Sequence, residues 1–332
     1  MAFSKLSGIT LKGIISVFPY NEEDNLNLLD IPEQNREAIV NHTGIRFRRR
    51  VNTEKANVET FFAKGIEELL NTLMWDKTSI DVIIVVTQST HSVIPSVACK
   101  LQGDLGFEPH LMAYDVNLGC SGFVYGLHAC GQTLQSLNQV KSRAILCCGD
   151  ISSHLTEDSD LTVRPIFSDA VSVAGIEFNK ADANSIHFHF ETFGQGSQAI
   201  YTENTPSGKW MRLNGIDVFN YSVKYVPENI KRLYSYFDLN LSDTDLFILH
   251  QANLIINKSI VKLLGISEHI APNTLYEYGN TASASVPITL ALCAKKEHQQ
   301  VLLSGFGVGF SIATCLINFE SPILSKTITL EI

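Results

Sequence analysis

The sequence predicts an α/β fold made of two similar halves, and three observations carry the prediction. Short, continuous apolar runs such as "DVIIVV" (81–86) and "AILCCG" (144–149) alternate with helical patterns, which marks strands covered on both faces. The alternation occurs twice along the chain. Each half also contains a helix that opens on glycine and small residues and is apolar almost all round. One runs from Cys120 and one follows Asn280, and helices of that kind are buried on every side.

The elements follow in order. "GIISVFP" (13–19) reads as a strand. "VETFFAKGIEELLNTLMW" (58–75) places Phe62, Ile66, Leu69 and Leu73 on one face of an amphipathic helix. "DVIIVVTQS" is a buried strand, "PSVACKLQGDLGF" a helix opened by Pro95, and "LMAYDVNL" a strand. "CSGFVYGLHACGQTLQSL" is the first buried helix and "RAILCCGD" another strand. In the second half "VKYVPENIKRLYSYF" is a helix, "TDLFILHQAN" a strand entering a turn, and "NLIINKSIVKLLG" a helix. "GNTASASVPITLALCAKK" is a turn and the second buried helix. "QVLLSGFGVGFSIATCLINF" is two strands about a glycine-rich turn. The join lies near 170–200, where residues 178–210 have the Gly, Asn and Ser content of turns and connections. This divides the chain into residues 1–178 and 179–332.

Composition narrows the function. The 332 residues are 45% hydrophobic and 18% charged, a well-packed globule rather than a disordered chain. A net charge of −9 argues against nucleic acid as a ligand. The one basic cluster, Arg46, Arg48, Arg49 and Arg50, is either a solvated edge or a docking patch for a phosphate or acidic partner. No apolar stretch is long enough to span a bilayer, and the opening residues show no signal-peptide pattern. Seven irregularly spaced cysteines without a C-x-x-C pair argue against a disulfide framework or zinc site, and fit reduced, cytoplasmic thiols.

Three residues are candidates for chemistry. Cys120, between glycines at a strand-to-helix turn, is either a small buried residue or a nucleophile whose thiolate the helix N-terminus would favour. His250 ends an apolar strand at a turn, where α/β folds display functional groups, although a structural histidine would also fit. Asn280 stands in a Gly-Asn-Thr turn and could equally be a cap. The glycine-rich "SGFGVGFS" (304–311) is a tight hairpin or a loop whose N–H groups face a developing oxyanion.

Taken together, "TGIR" (43–46), "DVNLGCSGFVYGL" (115–127), "HQANLIIN" (250–257), "YGNTASAS" (278–285) and "GFGVGFS" (305–311) resemble the ketoacyl-ACP synthase III group of the thiolase-fold condensing enzymes, over essentially the whole chain. The resemblance implies a thiolase-like fold, two duplicated α/β halves packed as a five-layer αβαβα sandwich. It implies that Cys120 accepts an acyl group, with the backbone N–H groups of Cys120 and Val308 as oxyanion hole. His250 and Asn280 would hold the thioester carbonyl of malonyl-ACP during decarboxylative condensation. It assigns Ile94, Asn253, Gly215 and Phe306 to substrate binding, and Arg46 and Lys258 to docking of the carrier or CoA. Acyl carrier protein and a second copy of the chain are the implied partners. No cofactor or metal is implied beyond the phosphopantetheine thioester of the substrate.

Several positions depart from that pattern. Ala38 and Leu161 stand where acetyl-CoA-primed members stack the adenine between Trp and Arg. Ile255 and Ile216 replace an Arg and an Asn, His42 stands where an Arg is common, and "FSDA" (167–170) replaces "FGDG". These changes point to a donor other than acetyl-CoA, in a specialised fatty-acid or polyketide-type pathway. Ile94 would admit a chain longer than acetyl. Two alternatives share the fold: an acyltransferase making an ester or amide without decarboxylation, against which Asn280 is retained, and an inactive partner subunit, against which Cys120 is intact. A papain-like hydrolase places its cysteine in a different local context.

Overall fold

The computed structural model describes residues 2–28, 31–52 and 56–331. The chain begins with β1 (Ala2–Ser7), β2 (Ile9–Pro19), β3 (Glu22–Asp24), α1 (Glu33–Thr43), β4 (Phe47–Arg49), α2 (Val58–Leu73) and β5 (Val82–Val86). It continues through α3 (Val97–Asp104), β6 (Met112–Val116), α4 (Gly122–Ser136), β7 (Lys141–Asp150) and β8 (Ala170–Asn179). The second half holds β9 (Ser185–Thr192), β10 (Ile200–Thr205), β11 (Gly208–Leu213), α5 (Gly215–Tyr236), β12 (Leu246–Leu249), α6 (Leu254–Leu264) and α7 (Leu275–Tyr278). It closes with α8 (Ser285–Cys293), β13 (Gln300–Gly307), β14 (Ser311–Asn318) and β15 (Leu324–Leu330).

Two sheets carry the duplication. One runs β15-β2-β8-β7-β5-β6 and the other β1-β9-β14-β13-β12. Within them β2-β8-β7-β5 and β9-β14-β13-β12 share one pattern: two antiparallel pairings, then a parallel one. Helices α2 and α3 cover the outer face of the first sheet, where Phe61, Phe62, Ile66 and Leu69 meet Ile15, Val17, Ile83 and Val85. Helices α4 and α8 lie between the sheets, joining Phe123, Leu127, Val286 and Leu290 to strand residues of both. Helices α5 and α6 cover the far face with Val226, Ile230, Ile256 and Ile260. The result is the five-layer αβαβα order, and it explains why α4 and α8 are apolar all round: each has a sheet on both sides.

The chain ends cross the division at 178/179. β1 pairs with β9 in the second sheet, and β15 pairs with β2 in the first, so each half is completed by a strand from the other end of the chain. The connecting segment expected at 178–210 instead holds β9, an interior strand with Ile186, Phe188 and His189 buried, and the β10–β11 hairpin. Pro95 does not open α3. Ser96 caps it, its hydroxyl accepting from Cys99 N at 3.3 Å.

The arginines of the cluster are paired with acidic residues. β4 pairs antiparallel with β3, which sets Arg49 opposite Glu22 and Arg48 opposite Glu23. Arg48 is buried, ion-paired to Glu23 at 2.7 Å, and its Nε donates to Asn25 Oδ1 at 2.9 Å. Arg46 bridges Asp24 at 3.2 Å, and Arg50 bridges Asp158 at 2.5 Å. Among the described residues no helix is long and apolar enough to cross a membrane.

Candidate active site

The strand ends of both halves converge on Cys120. It lies in the turn between β6 and α4, one residue before the N-cap Ser121, so it stands just outside the helix rather than at its first turn. The backbone amides of Val308 and of Cys120 itself favour the charged form of the sulfur. Burial outweighs them and pushes the thiol up to about 12, with nearby Asp150 adding to the rise. The resting group is therefore a thiol, not the thiolate that a helix N-terminus alone would favour.

The β13–β14 turn presses on this cysteine. Gly307 has φ +152°, and a Cβ there would lie 2.8 Å from Cys120 Sγ, so only glycine fits. Ser121 Oγ and Ser311 Oγ are 2.7 Å apart, and Ser311 donates to Val308 O at 2.8 Å. This pair ties the turn that supplies the Val308 amide to the residue after the nucleophile.

His250 follows β12 and is fully buried, its ring edge-on to Phe306 at 5.3 Å. Burial pushes its pKa down to about 3, so the imidazole is neutral. Its Nδ1 meets Ser285 Oγ at 2.5 Å, while Gln251 N donates to the same oxygen at 3.5 Å. With the serine hydroxyl donating to Nδ1, the ring proton sits on Nε2, which is the tautomer that can donate into the cavity. Asn280 is held at both ends: its Oδ1 accepts from Ala282 N at 3.0 Å and its Nδ2 donates to Ala252 O at 3.4 Å. One amide proton remains free. The "FSDA" segment supports this turn, because Ser168 N donates to Asn280 O, and Ser168 Oγ accepts from Arg49 N at 2.7 Å. Asp169 accepts from Val51 N and Ser153 N, each at 2.8 Å.

Cys120, His250, Asn280, Asn253, Gly215 and Phe306 line one narrow cavity of about 80 Å³. Asn253 caps α6, its Oδ1 accepting from Ile256 N at 2.9 Å, and its amide nitrogen has no such duty. A second, larger cavity of about 260 Å³ meets the first at Cys120 and includes Val308 but neither His250 nor Asn280. Ile94, Arg46 and Lys258 line neither. Ile94 is 83% exposed in the loop before α3. Arg46 is engaged with Asp24 and Tyr276. Lys258 is exposed on α6, beside a shallow hollow with Glu268. Sequence reasoning missed Ser285, Asp150, Gln88 and Asn117. Asp150 had a signal, since it ends a buried strand at the edge where such folds place functional groups. Ser285 had none beyond its place in a small-residue turn.

Known proteins share these features. Models of 3-oxoacyl-[acyl-carrier-protein] synthase III match residues 114–194, and those of its C-terminal part match residues 237–319. The beta-ketoacyl-[acyl-carrier-protein] synthase III of Lactobacillus helveticus is 32% identical over 95% of this chain and 100% of its own. A second such synthase, of Bacillus anthracis, is 30% identical over 89% of this chain and 93% of its own. The crystal structure of a 3-oxoacyl-(acyl-carrier protein) synthase from Burkholderia xenovorans superposes with a TM-score of 0.92 at 26% identity, covering 99% of each chain. With the paired sheets, the buried central helices and the cysteine between two cavities, the chain belongs to the 3-oxoacyl-ACP synthase III family of thiolase-fold acyltransferases.

Proposed function

We propose that Cys120 is acylated by a thioester donor and that the acyl group is then joined to malonyl-ACP with loss of CO2. One observation carries this reading: Cys120 lines both cavities, and a neutral His250 and the free amide proton of Asn280 share the smaller one with it. Acylation forms the Cys120 S–C bond and breaks the donor's C–S bond, and the thiol proton leaves with the donor's thiolate. The Cys120 and Val308 amides hold the carbonyl oxygen as charge develops on it. In the second step malonyl-ACP releases CO2. His250 Nε2–H and Asn280 Nδ2–H donate to the enolate oxygen, neither of them changing protonation. The enolate carbon attacks the acyl group, and Cys120 departs as thiolate and takes up a proton.

The donor in this reading is not acetyl-CoA. Ala38 supplies no stacking surface, and Leu161, Ile216 and Ile255 present 41%, 75% and 44% exposed aliphatic side chains where polar or aromatic groups would hold a nucleotide. The working unit is a cytoplasmic homodimer, and the partner is an acyl carrier protein. Intact mass of the protein, with Cys120→Ala as control, tests this after exposure to acetyl-CoA, longer acyl-CoAs and acyl-ACPs. Fast labelling by acetyl-CoA overturns the donor assignment. Asn280→Ala is expected to acylate and yet fail to release CO2 from malonyl-ACP; unimpaired CO2 release would overturn the role of Asn280.

A further inference from the structure

The larger cavity beside Cys120 is the one left for the acyl chain, since His250 and Asn280 occupy the other. Its inner wall is polar in a way a saturated chain does not require. Gln88, Asn117 and Asp150 line it together with Gly119 and Cys120. Gln88 Nε2 donates to Asn117 Oδ1 at 3.0 Å, which locks the two amides to one another. Gln88 Oε1 and Asn117 Nδ2 then have no partner among the described residues. Flipping both amides together would still present one acceptor and one donor to the cavity.

This pair sits against the nucleophile's own turn. A Cβ on Gly119 would lie 2.7 Å from Gln88 Oε1, so the residue before Cys120 must be glycine for Gln88 to hold its place. Asp150 adds a second unsaturated acceptor. Its Oδ1 accepts from Thr87 Oγ1 at 3.0 Å, Gln88 N at 2.6 Å and Ser89 N at 3.0 Å. Its Oδ2 has only the Ser283 hydroxyl at 3.5 Å, which is also within reach of Val86 O. A buried acceptor with so weak a partner is costly unless a ligand completes it. An alkyl chain would pack against Leu155, Phe167, Ile200 and Met211 on the other wall and leave Asp150 Oδ2 without a better partner. A carboxylated chain would meet the Asp150 carboxyl.

We propose that the acyl donor is a short chain bearing a hydroxyl on C3 or C4, and that Gln88, Asn117 and Asp150 select it by hydrogen bonding that hydroxyl. This rests on the reading of Cys120 as the acylated residue. The transfer is the thioester exchange already described, and the hydroxyl takes no part in bond making. A site whose buried polar groups are completed by a substrate hydroxyl rejects the deoxy analogue, because the analogue leaves them unpaired.

The test compares 3-hydroxybutyryl and butyryl thioesters of one carrier thiol, following acylation of the full-length protein by intact mass against time. The expected result is a rate about tenfold higher for the hydroxylated chain, from one hydrogen bond gained at the buried Asp150 carboxylate. In Gln88→Leu the ratio of the two rates should collapse toward one. Asn117→Ala, at an exposed position, gives the same ratio test if Gln88→Leu fails to fold. Butyryl labelling as fast as 3-hydroxybutyryl in the wild-type protein overturns the inference while leaving Cys120 acylation standing. No labelling of Cys120 by either overturns both. A ratio that survives in both variants overturns the assignment to these side chains.

Discussion

Replacing Gly307 by alanine tests the geometry on which the site depends. The new methyl carbon would stand 2.8 Å from Cys120 Sγ and 2.9 Å from its Cβ. Comfortable contact lies near 3.5–4.0 Å, so sulfur and turn must separate by about 1 Å. The backbone adds its own cost, since φ of +152° is strained for alanine by about 1–3 kcal/mol. Relaxation in either direction draws the Val308 amide away from the sulfur. A displacement of about 1 Å at a reacting centre, or loss of one oxyanion donor, lowers a rate on the order of a hundredfold. Acylation of Cys120 by intact mass, beside a denaturant melt, reads both effects. Gly103→Ala is the matched control: it lies in α3 with no atom within 4 Å of the added carbon, and helix propensity favours it by up to about 1 kcal/mol. Acylation of Gly307→Ala within threefold of wild type, at unchanged stability, would refute the close packing of the turn on the nucleophile.

Three further outcomes follow from the same contacts. Burial holds His250 near 3 instead of 6.5, so between those values the unfolded chain binds a proton that the folded protein does not. The stability of the neutral ring is complete above about pH 6.5 and is lost as pH falls toward 3, by up to about 1.4 kcal/mol per pH unit. Denaturant melts from pH 7 to 4.5 should lose stability more steeply in the wild type than in His250→Asn, and parallel curves would refute this. Ser285→Ala removes the hydrogen bond that fixes the His250 tautomer, and CO2 release from malonyl-ACP should fall about tenfold; an unchanged rate in a stopped CO2 assay would remove Ser285 from the site. Arg48→Met strips the partner from Glu23, Asn25 and Phe167 O, and should cost on the order of 3 kcal/mol in a urea melt; a loss under 1 kcal/mol would mean the cluster is surface decoration.

The parts of the fold visible in sequence were those with a local cause. Strands β5 and β7 announce themselves as apolar runs because helices cover both faces, and α4 and α8 because a sheet lies on either side. Strand β9 was hidden because its buried face carries a histidine: His189 is fully buried, with its Nδ1 2.9 Å from Asn229 O. β1 and β15 were hidden because each is completed by a partner at the far end of the chain, which no window of sequence contains. The pairing of the arginines was hidden for the same reason. Their partners Glu22, Glu23 and Asp24 are plain in the sequence, but only the β3–β4 register shows that they neutralise the cluster. Cys120 and His250 each stand at the end of an apolar run beside a glycine or a turn and Asn280 in a Gly-Asn-Thr turn, but it was the five motifs taken together that made the three legible. The division of the space around them into two cavities was not, since Gln88, Asn117 and Asp150 come from three separate strand ends.

The resting charges constrain how the thiol proton moves. At neutral pH Cys120 is a thiol and His250 is a neutral imidazole, and the His250 nitrogen that lacks a proton is already bonded to Ser285. His250 therefore has no free lone pair to offer as a base toward Cys120. Asp150 lies on the acyl side; its Oδ1 is saturated by three donors, its Oδ2 faces Ser283 and makes no hydrogen bond to Cys120, and its charge raises the thiol pKa rather than lowering it. The acceptor that remains is the departing thiolate of the donor, so proton transfer is coupled to C–S cleavage and no free Cys120 thiolate accumulates. Acylation should then be nearly independent of pH between 6 and 8 and should respond to the acidity of the donor's thiol. A rate measured by intact mass that rises tenfold per pH unit across that window would show hydroxide or a protein base generating the thiolate first, and would overturn this assignment of the proton's path.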